Sequence, residues 1–242
     1  LYGISAKIDE ILCICNKYEV PVLEDSAESL GTIYKEKMTG TFGECGILSF
    51  NGNKIITSSG GGMLLFNGES AEKKADKARF WATQSRESER YYYHKELGYN
   101  YRMSNIVAGI GRGQLKVLND RIEKKRKIYK VYEKNFREIE EIKMMPLNEI
   151  DGKSNCWLSC ITLDKKCGVT PLNIQIELEK ENIEARHIWK PMHTQPYYEK
   201  YDYIDAGGVA EEVFRRGVCL PSDTKMTMEQ IEVVSDIIRK LF

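Results

Sequence analysis

Amphipathic stretches and short apolar runs alternate through the first half of the chain. Apolar residues recur at helical spacing over 6–18, and Ser5 fits the N-cap of that predicted helix. Buried strands are predicted by the apolar runs at 20–25, 46–50 and 63–66. Further helices are predicted over 69–81 and 104–118. A helix that leads into a buried strand is half of a βαβ unit, so the pattern predicts an α/β domain built on a parallel-type sheet.

The second half of the chain has a different pattern. A long charged helix with one apolar side is predicted over 120–139. After it, strands are predicted at 157–163 and 185–189, and helices at 171–182, 210–216 and 228–241. This order predicts a small α+β domain that the long helix links to the first domain. We therefore predict two domains, 1–119 and 120–242.

Composition excludes several functional classes. The 242 residues are 42% hydrophobic, and 36 Lys and Arg balance 36 Asp and Glu, so charge gives no indication of nucleic-acid or anionic-membrane binding. No apolar run approaches the length of a membrane span, and the first residues have no signal-peptide pattern. These observations predict a cytoplasmic protein without nucleic-acid or membrane partners.

The seven cysteines are irregularly spaced and odd in number, which favours free thiols in a reducing compartment. A zinc site at Cys156, Cys160 and Cys167 is the alternative. Because these three lack the close-paired spacing of zinc ligands, we predict no metal site.

Asp25 and Lys54 are the residues with the clearest chemical potential. Asp25 ends an apolar strand, and Lys54 follows another strand in a loop. Ligands of open α/β sheets collect at the carboxyl ends of strands. An amine and a carboxylate can serve pyridoxal phosphate, whose aldehyde binds a lysine and whose ring nitrogen needs an acid. On spacing alone, a helix-capping aspartate and a solvated lysine are the ordinary interpretation.

Several motifs in order change this balance. They are Glu24-Asp25-Ser26-Ala27-Glu28-Ser29-Leu30-Gly31, Gly40-Thr41-Phe42-Gly43, Ser49-Phe50 with Asn53-Lys54, Gly60-Gly61-Gly62-Met63, Gly98-Tyr99-Asn100-Tyr101-Arg102-Met103-Ser104, Trp189-Lys190-Pro191-Met192-His193 and Leu220-Pro221. In order and spacing they resemble the sugar aminotransferases of the DegT/DnrJ/EryC1/StrS family, over essentially the whole chain. The resemblance implies a pyridoxal phosphate-dependent transferase of fold type I, with part of the large domain followed by the small domain.

The resemblance also implies roles for the residues around the cofactor. Lys54 resembles the lysine that holds pyridoxal phosphate as a Schiff base and then shuttles a proton. Asp25 resembles the partner of the pyridine nitrogen. Ala27 would lie against the ring, and Glu28 would lie next to the ring hydroxyl or the substrate.

Four further residues complete the implied site. Ser49 resembles a phosphate ligand, because its hydroxyl can donate to the anion. Asn100 resembles the residue that reaches the phosphate from the other subunit, which implies a homodimer with shared sites. Arg102 is a candidate contact for a diphosphate, and His193 is a candidate substrate contact at the mouth of the site.

The implied activity is transfer of an amino group from glutamate to a nucleotide-linked keto sugar. In the family, the segment that resembles Leu1-Tyr2-Gly3 lies well inside the large domain, so we expect this chain to be part of a longer enzyme. Two alternatives stay open: a truncated, non-catalytic fold type I module for dimerisation or binding, and a related sugar dehydratase. The dehydratases carry histidine in place of the lysine, so Lys54 argues against the second.

Overall fold

The computed structural model describes residues 1–147, 150–205 and 207–242, in which helices and short strands alternate. The helices are α1 (Ile8–Lys17), α2 (Ala71–Ala82), α3 (Asn105–Leu115), α4 (Leu118–Asn135), α5 (Pro171–Lys180), α6 (Val209–Arg216) and α7 (Met228–Arg239). The strands are β1 (Leu23–Asp25), β2 (Ile33–Tyr34), β3 (Lys37–Met38), β4 (Cys45–Ser49), β5 (Gly62–Phe66), β6 (Ile142–Met144), β7 (Gly152–Lys153), β8 (Ser159–Leu163), β9 (Arg186–His187) and β10 (Gly217–Leu220).

Two compact units divide the contacts of the chain. The first contains Leu1, Gly3–Glu123 and Leu147–Trp157, and the second contains Tyr2, Lys124–Pro146 and Leu158–Phe242. One boundary between the two units therefore lies within α4, between Glu123 and Lys124. The predicted division into domains at residue 120 stays a prediction, since compact units need not coincide with domains.

The main sheet of the first unit has the strand order β1-β4-β5. β1 and β4 are parallel, as predicted, whereas β4 and β5 are antiparallel. The chain reverses between β4 and β5, where the Phe50 N–H donates to the Gly61 carbonyl oxygen at 3.0 Å. A parallel β5 would need a crossover connection, usually a helix, between the two strands. The described residues 50–61, which join β4 to β5, contain no helix. The three predicted strands are thus present in a mixed sheet.

A smaller antiparallel sheet, β3-β2-β7, also belongs to the first unit. Gly152 of β7 pairs with Tyr34 of β2. A Cβ built on Gly152 would lie 2.0 Å from the Ile33 carbonyl oxygen, so the pairing requires glycine at this position. This sheet fastens residues 152–153 to a strand more than one hundred residues earlier.

The second unit is built on the antiparallel sheet β6-β8-β10-β9. Side chains from this sheet and from helices α4, α5 and α7 form one buried apolar cluster, which includes Tyr132, Ile161, Leu178, Val218 and Ile231. Thr170 and Thr227 begin α5 and α7 with reciprocal capping boxes. Strands and helices predicted for the second half of the chain lie in this unit.

Several predicted boundaries need correction. Ser5 does not cap the first helix: α1 begins at Ile8, and Lys7 occupies the N-cap without a side-chain hydrogen bond. The predicted strand at 185–189 is reduced to β9, and the helix predicted over 120–139 spans Leu118–Asn135. Short strands and helix ends depend on tertiary contacts that periodicity does not report.

None of the seven cysteines forms a disulfide with another described residue. Cys160 and Cys219 face each other across β8 and β10, with their Sγ atoms 3.6 Å apart. Within the described ranges, no three His, Cys, Asp or Glu side chains form a group that could hold a metal ion. Across the same residues, no helix has both the length and the apolar character needed to cross a membrane.

Candidate active site

The parallel pair β1 and β4 brings two predicted site residues to one edge of the main sheet. Asp25 is the last residue of β1 and pairs with Ile47, and Ser49 is the last residue of β4. Parallel strands present their carboxyl ends at the same edge. A carboxylate and a hydroxyl therefore lie at this edge.

Asp25 is exposed, and its Oδ1 accepts a hydrogen bond from the Ala27 N–H at 3.1 Å. This local bond orients the carboxylate and holds the half-buried Ala27 in a turn behind it. Oδ2 makes no hydrogen bond within the part of the chain described by the structure. The carboxylate is thus fixed by one oxygen and available through the other.

Lys54 lies in the loop after β4, where its N–H donates to the Asn51 carbonyl oxygen at 3.1 Å. The side chain is half-buried, and Nζ lies 4.5 Å from the centroid of the Trp157 ring. Among the described residues, Lys54 forms no ion pair with a carboxylate. A cation–π contact holds the amine without neutralising it, so Nζ stays available for chemistry.

Trp157 also supports the backbone beside Lys54. Its indole is 2% exposed, and its Nε1–H donates to the Asn53 carbonyl oxygen at 2.7 Å. The sequence predicts a strand that begins at Trp157 and gives no indication of this role. A tryptophan separated by about one hundred residues from the lysine carries no local signal that connects the two.

Glu24 forms a second support that the sequence analysis missed. Its carboxylate is 8% exposed and accepts three backbone N–H groups: Oε2 from Gly40 at 2.8 Å, and Oε1 from Phe42 at 2.6 Å and Gly43 at 2.7 Å. The backbone of the Gly-Thr-Phe-Gly motif therefore binds the carboxylate of Glu24, the residue before Asp25. Its role in this structure is to hold the end of β1 in place.

Asn155 holds the loop that follows Asp25. Its buried Nδ2 donates to the carbonyl oxygens of Glu28 at 3.1 Å and Leu30 at 3.0 Å, and its N–H donates to Thr32 Oγ1 at 3.0 Å. The half-buried Glu28 is thus anchored through its backbone. Its side chain projects from a loop whose conformation is fixed by hydrogen bonds.

Ser49, Asn100 and Arg102 differ in how far the structure connects them to this edge. Ser49 Oγ accepts weakly from the Asn51 N–H at 3.4 Å, so its own proton can still be donated. Asn100 is exposed opposite Thr83 in an isolated β-bridge, and Arg102 is exposed before α3. In the described part of the chain, no hydrogen bond or ion pair joins Asn100 or Arg102 to the groups at the edge.

His193 lies in the second unit, in the short 3-10 turn Met192–Thr194. Its Nε2 is 2.5 Å from Glu211 Oε1, and its ring stacks on Tyr203. The hydrogen bond with His193 is the main cause that lowers the pKa of Glu211 below its ordinary value. The predicted substrate residue is therefore part of an ordered polar cluster.

The donor set at the sheet edge and in the loop after β4 fits pyridoxal phosphate. Lys54 offers an amine without a carboxylate partner, Asp25 offers a free carboxylate oxygen, and Ser49 offers a hydroxyl proton. These match an aldehyde, a ring nitrogen and a phosphate, respectively.

Comparison with known proteins agrees with this chemistry. The family model of the DegT/DnrJ/EryC1/StrS aminotransferase family matches residues 1–239. EpsN of Bacillus subtilis, named provisionally as a pyridoxal phosphate-dependent aminotransferase, is 51% identical over all of this chain and 62% of its own length. GDP-perosamine synthase of Escherichia coli O157:H7 is 32% identical over all of this chain and 64% of its own. The chain thus spans less than two thirds of the length of these relatives.

Solved structures share the fold. A DegT DnrJ EryC1 StrS aminotransferase from Brucella abortus superposes with a TM-score of 0.86 at 24% identity, over 99% of this chain and 62% of that one. Helicobacter pylori PseC, an aminotransferase involved in the biosynthesis of pseudoaminic acid, superposes with a TM-score of 0.88 at 23% identity, over 100% of this chain and 64% of that one. At such identities the likeness shows the fold, which is fold type I. With the match of the family model over residues 1–239, it establishes that the chain belongs to the DegT/DnrJ/EryC1/StrS aminotransferase family.

Proposed function

We propose that the protein is a pyridoxal phosphate-dependent aminotransferase that transfers an amino group from glutamate to a nucleotide-linked keto sugar. The observation that carries this proposal is the Lys54 amine, which is half-buried over Trp157 in the loop that follows β4, the strand that ends in Ser49 and pairs with the strand of Asp25. A nucleotide-sugar substrate is supported by the names of relatives. GDP-perosamine synthase is one, and a UDP-4-amino-4,6-dideoxy-N-acetyl-beta-L-altrosamine transaminase of Campylobacter jejuni, 26% identical, is another.

Each residue has a distinct task in this proposal. Lys54 Nζ would hold the cofactor through its aldehyde and would serve as general base and acid for proton transfer. Asp25 would keep the ring nitrogen protonated through its free carboxylate oxygen. Ser49 would donate a hydrogen bond from its hydroxyl to the phosphate. When bound, pyridoxal phosphate supplies the electron sink for the reaction.

The loop after Asp25 positions two further residues in the proposal. Ala27, held in the turn that Asp25 forms, would lie against the cofactor ring. Glu28 would lie next to the ring hydroxyl or the substrate, on a backbone fixed by Asn155. Arg102 is exposed and forms no ion pair with the described residues, which suits a contact with the diphosphate.

Trapping the cofactor tests the proposal. The full protein is incubated with pyridoxal phosphate and reduced with borohydride, and peptide mass analysis should locate the adduct on Lys54. Lys54→Ala should lose the adduct. Lys37→Ala should keep it, and it is a matched control because Lys37 Nζ also lies over an aromatic ring, that of Phe42 at 5.7 Å.

The Asp25→Asn variant refines the same experiment. It should still form the adduct but transaminate slowly, because an amide does not hold the ring nitrogen protonated. An adduct on another lysine would exclude the role assigned to Lys54. Absence of any adduct would favour the non-catalytic module instead.

The assembly and the location of the protein are part of the proposal. We propose a homodimer in which Asn100 of one subunit reaches the phosphate in the other. Asn100 is exposed, as are apolar side chains close to it in sequence: Tyr101 is 75% and Ile106 78% exposed in the single chain. Side chains of this kind are common at subunit interfaces. Cysteines without disulfides among the described residues support a reducing, cytoplasmic location.

A further inference from the structure

A short segment before β8 contacts both loops that carry the candidate site. Asn155 donates from Nδ2 to two carbonyl oxygens of the loop after β1, those of Glu28 and Leu30. Trp157 donates from Nε1 to a backbone carbonyl oxygen of the loop after β4, and the centroid of its ring lies 4.5 Å from Lys54 Nζ. All of these residues belong to the first unit. The two loops therefore share one support.

The two residues of this support are also joined to each other. Asn155 Oδ1 accepts a hydrogen bond from the Trp157 N–H at 2.8 Å, the local turn that asparagine side chains form with the backbone two residues later. Cys156, between them, has a left-handed backbone with φ of 50°. Asn155 and Cys156 are completely buried. One amide side chain thus binds the loop after β1 with its nitrogen and Trp157 with its oxygen.

Further hydrogen bonds fix the conformation of this segment. Ser154 Oγ accepts from the Cys156 N–H at 3.0 Å and donates to the Gly3 carbonyl oxygen at 2.8 Å. Thr32 Oγ1 donates to the same Gly3 oxygen at 2.7 Å and accepts from the Asn155 N–H at 3.0 Å. A left-handed residue other than glycine costs energy and persists where the surrounding contacts determine it. The segment is therefore held tightly enough to transmit a displacement of one loop to the other.

We propose that Asn155 and Trp157 are positioning residues that couple the two loops, so that the Lys54 amine keeps a fixed place relative to Glu28. This inference rests on the proposed function, which assigns both Lys54 and Glu28 to one cofactor. Groups that act on one ligand contribute most when supporting contacts hold them in a single geometry. Loss of the Asn155 side chain should therefore disturb Lys54, which it reaches through Trp157.

Hydrogen exchange of the full protein without cofactor tests the coupling. The Lys54 N–H is hydrogen-bonded within the loop after β4, and the Thr32 N–H within the loop after β1. Asn155→Ala should raise exchange at both amides, by about tenfold at Lys54, the effect of losing one hydrogen bond. Trp157→Phe removes the indole N–H and should raise exchange at Lys54 but not at Thr32. In the double variant, the increase at Lys54 should be smaller than the product of the two single increases, because both act through Trp157.

Asn67→Ala is the matched control. Asn67 is partly buried and also donates from Nδ2 to a loop carbonyl oxygen, that of Gly43, at 2.8 Å. Its substitution therefore removes a similar hydrogen bond at a different place in the first unit. Exchange at Lys54 and Thr32 should change less than twofold in this variant.

Borohydride trapping extends the test to the cofactor. Asn155→Ala should need about tenfold more pyridoxal phosphate than the wild type to reach half of its final adduct on Lys54. At saturating pyridoxal phosphate, the final extent of the adduct should equal that of the wild type. A role of Asn155 in stability alone would lower the final extent and leave the half-saturating concentration unchanged.

Unchanged exchange at Lys54 in Asn155→Ala would overturn the inference, as would single effects that multiply fully in the double variant. If circular dichroism shows that Asn155→Ala is unfolded, Asn155→Ser takes its place. Its hydroxyl can keep one of the hydrogen bonds, so the same two amides should exchange faster by a smaller factor. Absence of an adduct on Lys54 in the wild type would reject the proposed function, whereas exchange without cofactor decides the coupling by itself.

Discussion

Glu24→Gln tests whether the end of β1 is held by the buried carboxylate. The change keeps the shape of the side chain and replaces one of its oxygens with an NH2 group. In the wild type, Oε1 accepts from Phe42 and Gly43, and Oε2 accepts from Gly40. Whichever of the two oxygen positions the NH2 group of glutamine takes, it faces at least one of these three N–H donors, which then has no acceptor.

The expected loss follows from the three bonds. A buried N–H left without an acceptor costs about 1–3 kcal/mol. The two remaining bonds become neutral, and each weakens by about 1 kcal/mol. A neutral amide is easier to bury than a carboxylate, which offsets part of the loss. We expect a net destabilisation of about 3 kcal/mol.

Urea unfolding of the full protein measures this loss, and hydrogen exchange at residues 40–43 locates it. Glu44→Gln is the control, because Glu44 forms a partly exposed ion pair with Lys74, whose removal costs about 1 kcal/mol or less. Amide protection at 40–43 should fall only in Glu24→Gln. Equal losses of stability in the two variants, or unchanged protection, would refute the argument.

The remaining predictions concern the dimer and the response to acid. The dimer is tested with an isolated mixed dimer of one Asn100→Ala chain and one Lys54→Ala chain. If Asn100 acts in the site of the other subunit, both substitutions fall in one site and the other site is intact, so about half the activity of a wild-type dimer should be recovered. Absence of any fully active site would reject the cross-subunit role. Hydrogen bonds from Lys35 and then Tyr34 lower the pKa of Asp9 to about 2. The stabilisation by ionised Asp9 should be complete above about pH 4 and lost as the pH falls through 2. In urea unfolding, the stability difference between wild type and Asp9→Asn should therefore disappear over that interval. A difference independent of pH would contradict the assignment.

The elements that the sequence predicted well carry their signals locally. The apolar run that ends in Asp25 and the run at 46–50 contain neighbouring strands. Capping boxes at Thr170 and Thr227, which the prediction did not use, begin α5 and α7 where helices were predicted. Apolar runs and caps depend on residues within a few positions of one another, so a single sequence contains the necessary information.

The supports of the site could not be predicted in this way. The two-residue strands β2 and β7 have too few residues for a period, and they pair Ile33 with Lys153. Glu24 was assigned only to the polar end of a strand, although its partners are backbone amides that have no residue-specific pattern. Contacts between backbone groups and distant side chains are decided by the fold, and they become visible only in three dimensions.

Asn155 has a consequence for the order in which the protein is synthesised and folds. The loop after Asp25 depends on hydrogen bonds from a residue 125–127 positions later in the chain. During translation, the strand with Asp25 and the loop with Lys54 are complete long before Asn155 leaves the ribosome. Contacts between such distant residues form slowly, because a long loop must first close. The first unit is therefore expected to emerge as an incomplete intermediate, in which the chain around Lys54 orders late, after translation has passed residue 155.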